Sequence, residues 1–254
     1  MKKVNWSAVV LVVFMLIIIG FITSLITSFY GNPVTKIIAT SQIRRYVEKN
    51  YPDMDLEVSG AVYNFKFSHY ASHVQSRSSI DTSFSVYWRK GKLEDSYQVD
   101  VVKHYKTFQR LQKELSDITE ETIGREFRYK TSILFADIDK RLENYSDSLT
   151  LDMPLNTATI PLPTSLIIYF YDDKIDYEEF AQRLLELSEI MERNQIRIDY
   201  YTVVMSKTLE EDEKPLVSEE NIHLYDFPAE RLDSETLADD IREYIDLWEK
   251  ENEK

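Results

Sequence analysis

The sequence predicts an α+β protein. An N-terminal transmembrane helix is followed by a unit of one helix and a three-stranded antiparallel sheet, then by a second unit of α/β type with a mixed sheet. Three observations carry this prediction. Residues 8–29, opening on Ala8 and closing on Phe29, form an apolar run without a charged residue. Apolar and polar residues then alternate with a period of two around 63–67 and 82–89. Further on, a strand pattern, a helix pattern and another strand pattern succeed one another between 165 and 205, the order of a βαβ unit.

At about 1.5 Å per helical residue the run 8–29 can cross a hydrocarbon core of about 30 Å. A secretory signal has an apolar core of about 7 to 15 residues and a small-residue cleavage site. This run is longer and ends Leu25-Ile26-Thr27-Ser28-Phe29-Tyr30, so it reads as an uncleaved anchor. Trp6 and Tyr30 suit the two interfaces, where an aromatic ring sets an apolar body beside a polar edge. Lys2 and Lys3 favour a cytoplasmic tail at 1–7, although Lys36, Arg44, Arg45 and Lys49 weaken the contrast from the other flank. The expectation is a cytoplasmic N-terminus with everything after Tyr30 outside.

The first soluble unit is expected at 31–97. Asn32 offers a capping acceptor and Pro33 needs no donor in the first turn, so a helix starts there. Val34, Ile37, Ile38, Tyr46 and Val47 recur near helical spacing, and Pro52 stops the helix by disfavouring helical geometry in Tyr51. Tyr63, Phe65 and Phe67 then alternate with Asn64 and Lys66 as a half-buried strand. A second strand is expected at 70–75, and a third at 82–89 with Phe84, Val86 and Trp88 on one face. The turn Lys90-Gly91-Lys92 closes it.

These residues also carry a resemblance. The succession Tyr30-Gly31-Asn32-Pro33, Tyr51-Pro52-Asp53, Tyr63-Asn64-Phe65-Lys66-Phe67 and Asp81-Thr82 resembles the YfjL-like family, small membrane-anchored proteins of Gram-positive bacteria. The resemblance implies a location in the cell envelope and a two-part soluble region. It brings no activity and no catalytic residue.

Residues 98–148 are rich in charge and poor in Pro and Gly, and are expected to form a helical connector with helices at about 99–117 and 119–144. The second unit then covers 149–254. Pro154, Pro161 and Pro163 mark a loop, and Ser165-Leu166-Ile167-Ile168-Tyr169-Phe170-Tyr171 is a strand. Asp176 and Glu179 form an acidic capping box for a helix that buries Tyr177, Phe180, Leu184, Leu187 and Met191. A strand follows at 196–205, then an acidic loop at 209–215 and a short strand at 221–225. A last helix presents Leu237, Ile241, Ile245 and Trp248 on one face.

Composition sets further bounds. The 254 residues contain 43% hydrophobic and 13% aromatic residues, ample for a packed core. A net charge of -14 repels nucleic acid and anionic headgroups, so no nucleic-acid partner is expected. Without cysteine there is no disulfide, thiol chemistry or iron-sulfur cluster.

Two constellations invite a metal. His69 and His73 share a strand face and would need a third ligand such as Asp81, Glu94 or His104. Asp172 and Asp173, with Asp176 and Glu178 nearby, follow the C-terminal end of a strand, where α/β proteins hold ligands; a strand end and a helix cap explain them more simply. Ser76, Ser78 and Ser79 beside Asp81 lack the strand-to-helix setting of a nucleophile elbow. No catalytic residue, cofactor or metal site is therefore assigned. Among 17 tyrosines, Tyr63, Tyr70, Tyr87, Tyr169, Tyr171, Tyr200 and Tyr201 accompany strands, where they serve either a binding face or ordinary packing. The expected function is a membrane-anchored extracytoplasmic protein that binds or modulates an envelope protein, peptide or glycan without catalysis. The alternatives are a metal-assisted envelope hydrolase and a cytoplasm-facing membrane scaffold.

Overall fold

The computed structural model describes residues 6–139, 145–207 and 221–252. The fold is α+β, and the chain divides into two compact units, 1–106 and 107–254. The tail residues 1–5 and the acidic loop expected at 209–215 lie outside the described residues.

In the first unit, α1 (Trp6–Tyr30) is one helix of 25 residues, long and apolar enough to cross a membrane. Its side chains from 9 to 26 are exposed, which an apolar surround tolerates and water does not. After two residues α2 (Pro33–Asn50) begins, with the Asn32 side chain accepting from the Val34 and Thr35 amides at 2.8 and 3.2 Å. Ala39, Ile43 and Val47, four residues apart, are the buried stripe of α2. Val34, Ile37 and Ile38, expected to belong to its apolar face, are exposed instead.

That stripe packs on an antiparallel sheet of five strands, where periodicity predicted three: β1 (Leu56–Val58), β2 (Val62–Asn64), β3 (His69–Ser76), β4 (Ser83–Arg89) and β5 (Lys92–Asp95). The order is β1-β3-β4-β5, and β2 also pairs with β3, so β1 and β2 share one side of β3 end to end. Ser59 bridges the gap between them, its amide donating to the His73 carbonyl and its hydroxyl accepting from the His73 amide, both at 2.9 Å. The half-buried strand expected to run through Phe67 stops at Asn64, and residues 65–68 form a turn that leaves Phe65 and Phe67 exposed. Ser68 takes a φ of 52° there. At the far side, the Tyr46 and Tyr51 hydroxyls donate to one Asp95 oxygen at 2.6 and 2.9 Å, tying α2 to β5. Burial and then Asp95 push the Tyr46 hydroxyl up to about 12.

The join between α1 and α2 has no slack. Gly31 sits at φ +76°, and a Cβ there would lie 2.6 Å from the Tyr70 hydroxyl and 2.7 Å from Tyr63 carbons. Backbone conformation and lack of space thus require glycine independently. The Tyr70 hydroxyl accepts from the Asn32 amide at 2.7 Å and donates to the Asn32 carbonyl at 3.0 Å. Tyr63 and Trp88 pack against the Tyr70 ring at 5.0 and 5.9 Å, and the Trp88 indole donates to Gln42 of α2 at 2.7 Å. At the end of α1, Phe29 meets Phe65 of the turn with ring centres 5.6 Å apart.

The second unit opens with α3 (Tyr105–Glu126), which runs through the break expected near Ile118 and buries Phe108, Leu111, Leu115 and Ile123. The helix expected at 119–144 is corrected: from Thr131 the chain is strand β6 (Thr131–Ile138), part of the second sheet rather than of a helical connector. Ile133-Leu134-Phe135 is apolar on both faces, so β6 lacks the alternation that marks a half-buried strand. β7 (Thr164–Asp172), α4 (Tyr177–Arg193) and β8 (Tyr200–Lys207) form the βαβ unit, with β7 and β8 parallel. β9 (Asn221–Pro228) closes the sheet and α5 (Leu237–Asn252) follows. The order β6-β7-β8-β9 has antiparallel outer pairs, hence a mixed sheet.

One face of this sheet carries the core. Ala136, Ile138, Leu166, Ile168, Phe170, Val203, Met205 and Leu224 pack with Phe180, Leu184 and Leu187 of α4 and Ile241 of α5. Leu149, Ile160 and Leu162 of the proline-bearing loop join them. Gln112 of α3 closes part of the β6 edge, its amide nitrogen donating to the Ala136 carbonyl and its oxygen accepting from the Ile138 amide, both at 2.6 Å. Glu126 ties the end of α3 to that of α4, accepting from Arg193 at 2.7 Å, Arg125 at 2.9 Å and Asn194 at 3.2 Å.

Two measurements follow on the full chain in detergent. Gly31→Ala loses about 2 kcal/mol or more of stability in denaturant titrations read by tryptophan fluorescence, because neither strain nor collision can relax cheaply. Gly20→Ala, with open space around it, loses nothing measurable. The bonds from Arg193 and then Arg125 hold the Glu126 carboxyl down at about 2, against an ordinary 4.5. Its stabilisation is therefore present above about 4.5 and is lost as pH falls towards 2, so the Tm gap between the native chain and Glu126→Gln narrows across that window.

Candidate functional site

The face of the second sheet opposite the core is partly exposed: its β6 side chains are exposed, whereas Val204 at its centre is buried. Alternation along four strands places its side chains in rows fixed by register. Ile133, Tyr169, Val204 and His223 pair in sequence across the sheet, one from each strand. Beside them, Phe135 pairs with Ile167 and Ile167 with Thr202, and on the other flank Tyr171 pairs with Ser206 and Ser206 with Asn221. Ile133 and Phe135 are 41% and 40% exposed, and Tyr169, Tyr171, His223 and Tyr225 are half-buried.

A bulge between Tyr201 and Val203 shifts β9 by one residue, with Asp226 at φ 46° and its amide donating to the Thr202 hydroxyl at 3.1 Å. Alternation sends His223 and Tyr225 to the side opposite Leu224, and the bulge lets Phe227, three residues on, join Leu224 in the core. The His223 Nδ1 and the Tyr225 hydroxyl are 3.0 Å apart. Burial, and then the neighbouring Tyr169, push the Tyr225 hydroxyl above its usual range. Trp248 from the end of α5 stacks on Tyr225 with ring centres 4.6 Å apart. The result is a rigid apolar platform with polar tips, a surface that can bind by contact and hydrogen bonding.

The tyrosines singled out from sequence therefore divide. Tyr70 and Tyr201 are buried, Tyr63 packs on the α1–α2 join, and Tyr169 and Tyr171 lie on the open face. Ile133, Phe135 and Tyr225 were missed as members of that face. The first two lie in a segment that the sequence reads as helix; Tyr225 ends the expected strand 221–225, where alternation with Ile222 and Leu224 was the signal.

The residues expected to draw a metal are placed apart. His69 and His73 share a face of β3, yet four strand residues separate them by about 13 Å with side chains standing off the sheet. His69 stacks on Phe67 at 5.9 Å and meets the edge of Tyr87 at 5.1 Å. Burial and then Arg89 lower its pKa. Asp172 accepts from Arg183 at 3.0 Å, and Arg183 also donates to Glu179 at 2.6 Å and lies 4.6 Å over the Tyr129 ring. Asp173 is exposed, and Asp176 caps α4 by accepting from the Glu179 amide at 2.8 Å. Ser76 and Ser79 bond within their own loop, to Ser78 and Thr82. Among the described residues no group of three His, Cys, Asp or Glu side chains could hold a metal ion.

Family models place both units together. The YfjL-like N-terminal domain matches residues 5–107 and the YfjL-like C-terminal domain matches residues 114–242. The chain belongs to the YfjL-like family. The boundary between the two YfjL-like domains falls in the first turns of α3, next to the structural division at 106/107. The join around Gly31 lies in the N-terminal domain, and the open face in the C-terminal one. Searches of curated proteins and of solved structures each returned no match.

The Asp172 and Arg183 side chains are 12% and 14% exposed, so the pair is largely shielded from water. Asp172→Asn weakens the YfjL-like C-terminal domain by about 2 kcal/mol in urea unfolding, whereas exposed Asp173→Asn leaves it unchanged within about 0.5 kcal/mol.

Proposed function

We propose that this YfjL-like protein is a single-pass membrane protein whose soluble region lies outside the cytoplasm and binds an envelope protein, peptide or glycan without catalysing a reaction. The open face of the second sheet is the observation that supports this reading. Phe135, Tyr169, Tyr171 and Tyr225 bring large, stiff contact area at little entropic cost, and His223 and the tyrosine hydroxyls add directional bonds. Strands hold them, so the surface is shaped before the partner arrives. Around it, residues 107–254 carry 17 Lys and Arg against 36 Asp and Glu, which favours a neutral or cationic partner over an anionic one. The anchor is α1, and Lys2 and Lys3 favour retention of the tail in the cytoplasm.

The absence of cysteine makes the test clean. Glu235→Cys, at an exposed position, labels with a membrane-impermeant maleimide on intact cells, and Asn5→Cys labels after lysis. The opposite pattern would sink the extracytoplasmic reading in favour of a cytoplasm-facing scaffold. A photoreactive residue at Phe135 then captures a partner in cells that one at Glu120 on α3 does not, and Tyr169→Glu cuts the adduct about tenfold. Equal adducts from both positions would remove the open face from the proposal.

A further inference from the structure

Several large apolar residues of the first unit lack a place in its core, and they gather where α1 ends. Phe65 and Phe67, in the turn between β2 and β3, are 59% and 51% exposed, and Val62 beside them is 66% exposed. Val34 and Ile37, in the first two turns of α2, are 63% and 71% exposed. Val34, Ile37, Phe65 and Phe67 are residues that periodicity assigns to buried or half-buried faces. Single exposed apolar residues are ordinary, but a cluster of this kind marks an interaction surface.

Depth along α1 identifies what meets that surface. A 25-residue helix rises about 37 Å, so a hydrocarbon core of about 30 Å centred on it ends two or three residues before Tyr30. Phe29 falls one or two residues past that boundary, on the headgroup side. The Phe65 ring is 5.6 Å from the Phe29 ring, and the rigid join at Gly31 keeps it there. The turn is therefore level with the junction of headgroups and acyl chains.

Charge agrees. Residues 31–106 carry 11 Lys and Arg against 8 Asp and Glu, so this soluble stretch is net positive while the chain as a whole is at -14. The repulsion of anionic headgroups expected from composition thus belongs to residues 107–254 alone. Lys66 lies between the two phenylalanines with its ammonium 5.5 Å over the Phe67 ring, and Arg89 donates to the Phe67 carbonyl. Aromatic rings flanked by cations are the composition of segments that rest in a lipid interface.

We infer that the Phe65-Lys66-Phe67 turn is a second membrane contact, inserting its rings at the acyl boundary and setting Lys66 among anionic headgroups. The inference rests on the reading that α1 spans the membrane. It turns a tethered unit into one seated on the bilayer.

The full chain, reconstituted in vesicles of phosphatidylcholine and phosphatidylglycerol in equal parts, tests this with single bimane-labelled cysteines and nitroxide-bearing lipids. Burial by about 5 to 10 Å brings Lys66→Cys within reach of a shallow nitroxide, so its fluorescence falls by about half, while Glu235→Cys is unaffected. The double substitution Phe65→Ser, Phe67→Ser abolishes quenching at Lys66→Cys and leaves that of Ile17→Cys in α1 by a deep nitroxide unchanged. An unquenched Lys66→Cys beside a quenched Ile17→Cys would overturn the inference and leave the anchor standing. The same result with a blue-shifted Lys66→Cys would put a protein on the turn in place of lipid. If Ile17→Cys is unquenched too, the anchor reading fails and takes the inference with it.

Discussion

The first unit depends on a geometric constraint at a single residue, Gly31. A helix long and apolar enough to cross a membrane and the helix after it could be separated by a flexible linker, whose ends move independently. Here two residues separate them, and both are held. Gly31 supplies a left-handed turn without a Cβ, and Asn32 gives its side chain to the α2 amides and its backbone to the Tyr70 hydroxyl. The residues that surround the turn, Tyr63, Tyr70 and Trp88, are also those that align β2, β3 and β4 with α2. The sheet is therefore fitted around the helix exit, so that the orientation of the unit on α1 is part of its own packing energy.

The second unit answers a different requirement. Its parallel pair β7 and β8 needs a crossover, and α4 supplies one that buries Phe180, Leu184 and Leu187 on one side of the sheet. α5 adds Ile241 to the same core. The other side is left with aromatic and β-branched residues in register, a composition that water alone does not select. The two units divide the chain's chemistry: cations and stray aromatic rings in the first, carboxylates and an aromatic platform in the second.

Much of this was legible from residues whose effect is local. Asn32-Pro33 starts α2, Asp176 caps α4, and Leu237, Ile241 and Ile245 mark the buried stripe of α5 because backbone and burial periods coincide there. Where the surroundings differ from the half-water, half-core setting that periodicity assumes, the reading failed. Ile133-Leu134-Phe135 is apolar on both sides because both faces of β6 are used, so periodicity alone reads it as helix. On α2 the contact residue is the small Ala39, so the larger Val34 and Ile37 misdirected the stripe. Phe65 and Phe67 alternated convincingly, yet the strand ends at Asn64. His69 and His73 suggested a pair, but a strand spaces the fourth neighbour too far for two rings to converge. The bulge between Tyr201 and Val203, which no local pattern announces, is what brings Phe227 to the same side as Leu224.

Gln112 has a consequence beyond holding α3 in place. Its amide uses one donor and one acceptor here, the same pair that a peptide group presents, and it occupies the β6 edge at Ala136 and Ile138 where another chain's strand would otherwise add. A strand placed there would carry a fresh edge of its own and invite the next. A side-chain amide satisfies the same groups without presenting a new strand edge, so along this stretch it acts as a chain terminator acts on a growing polymer.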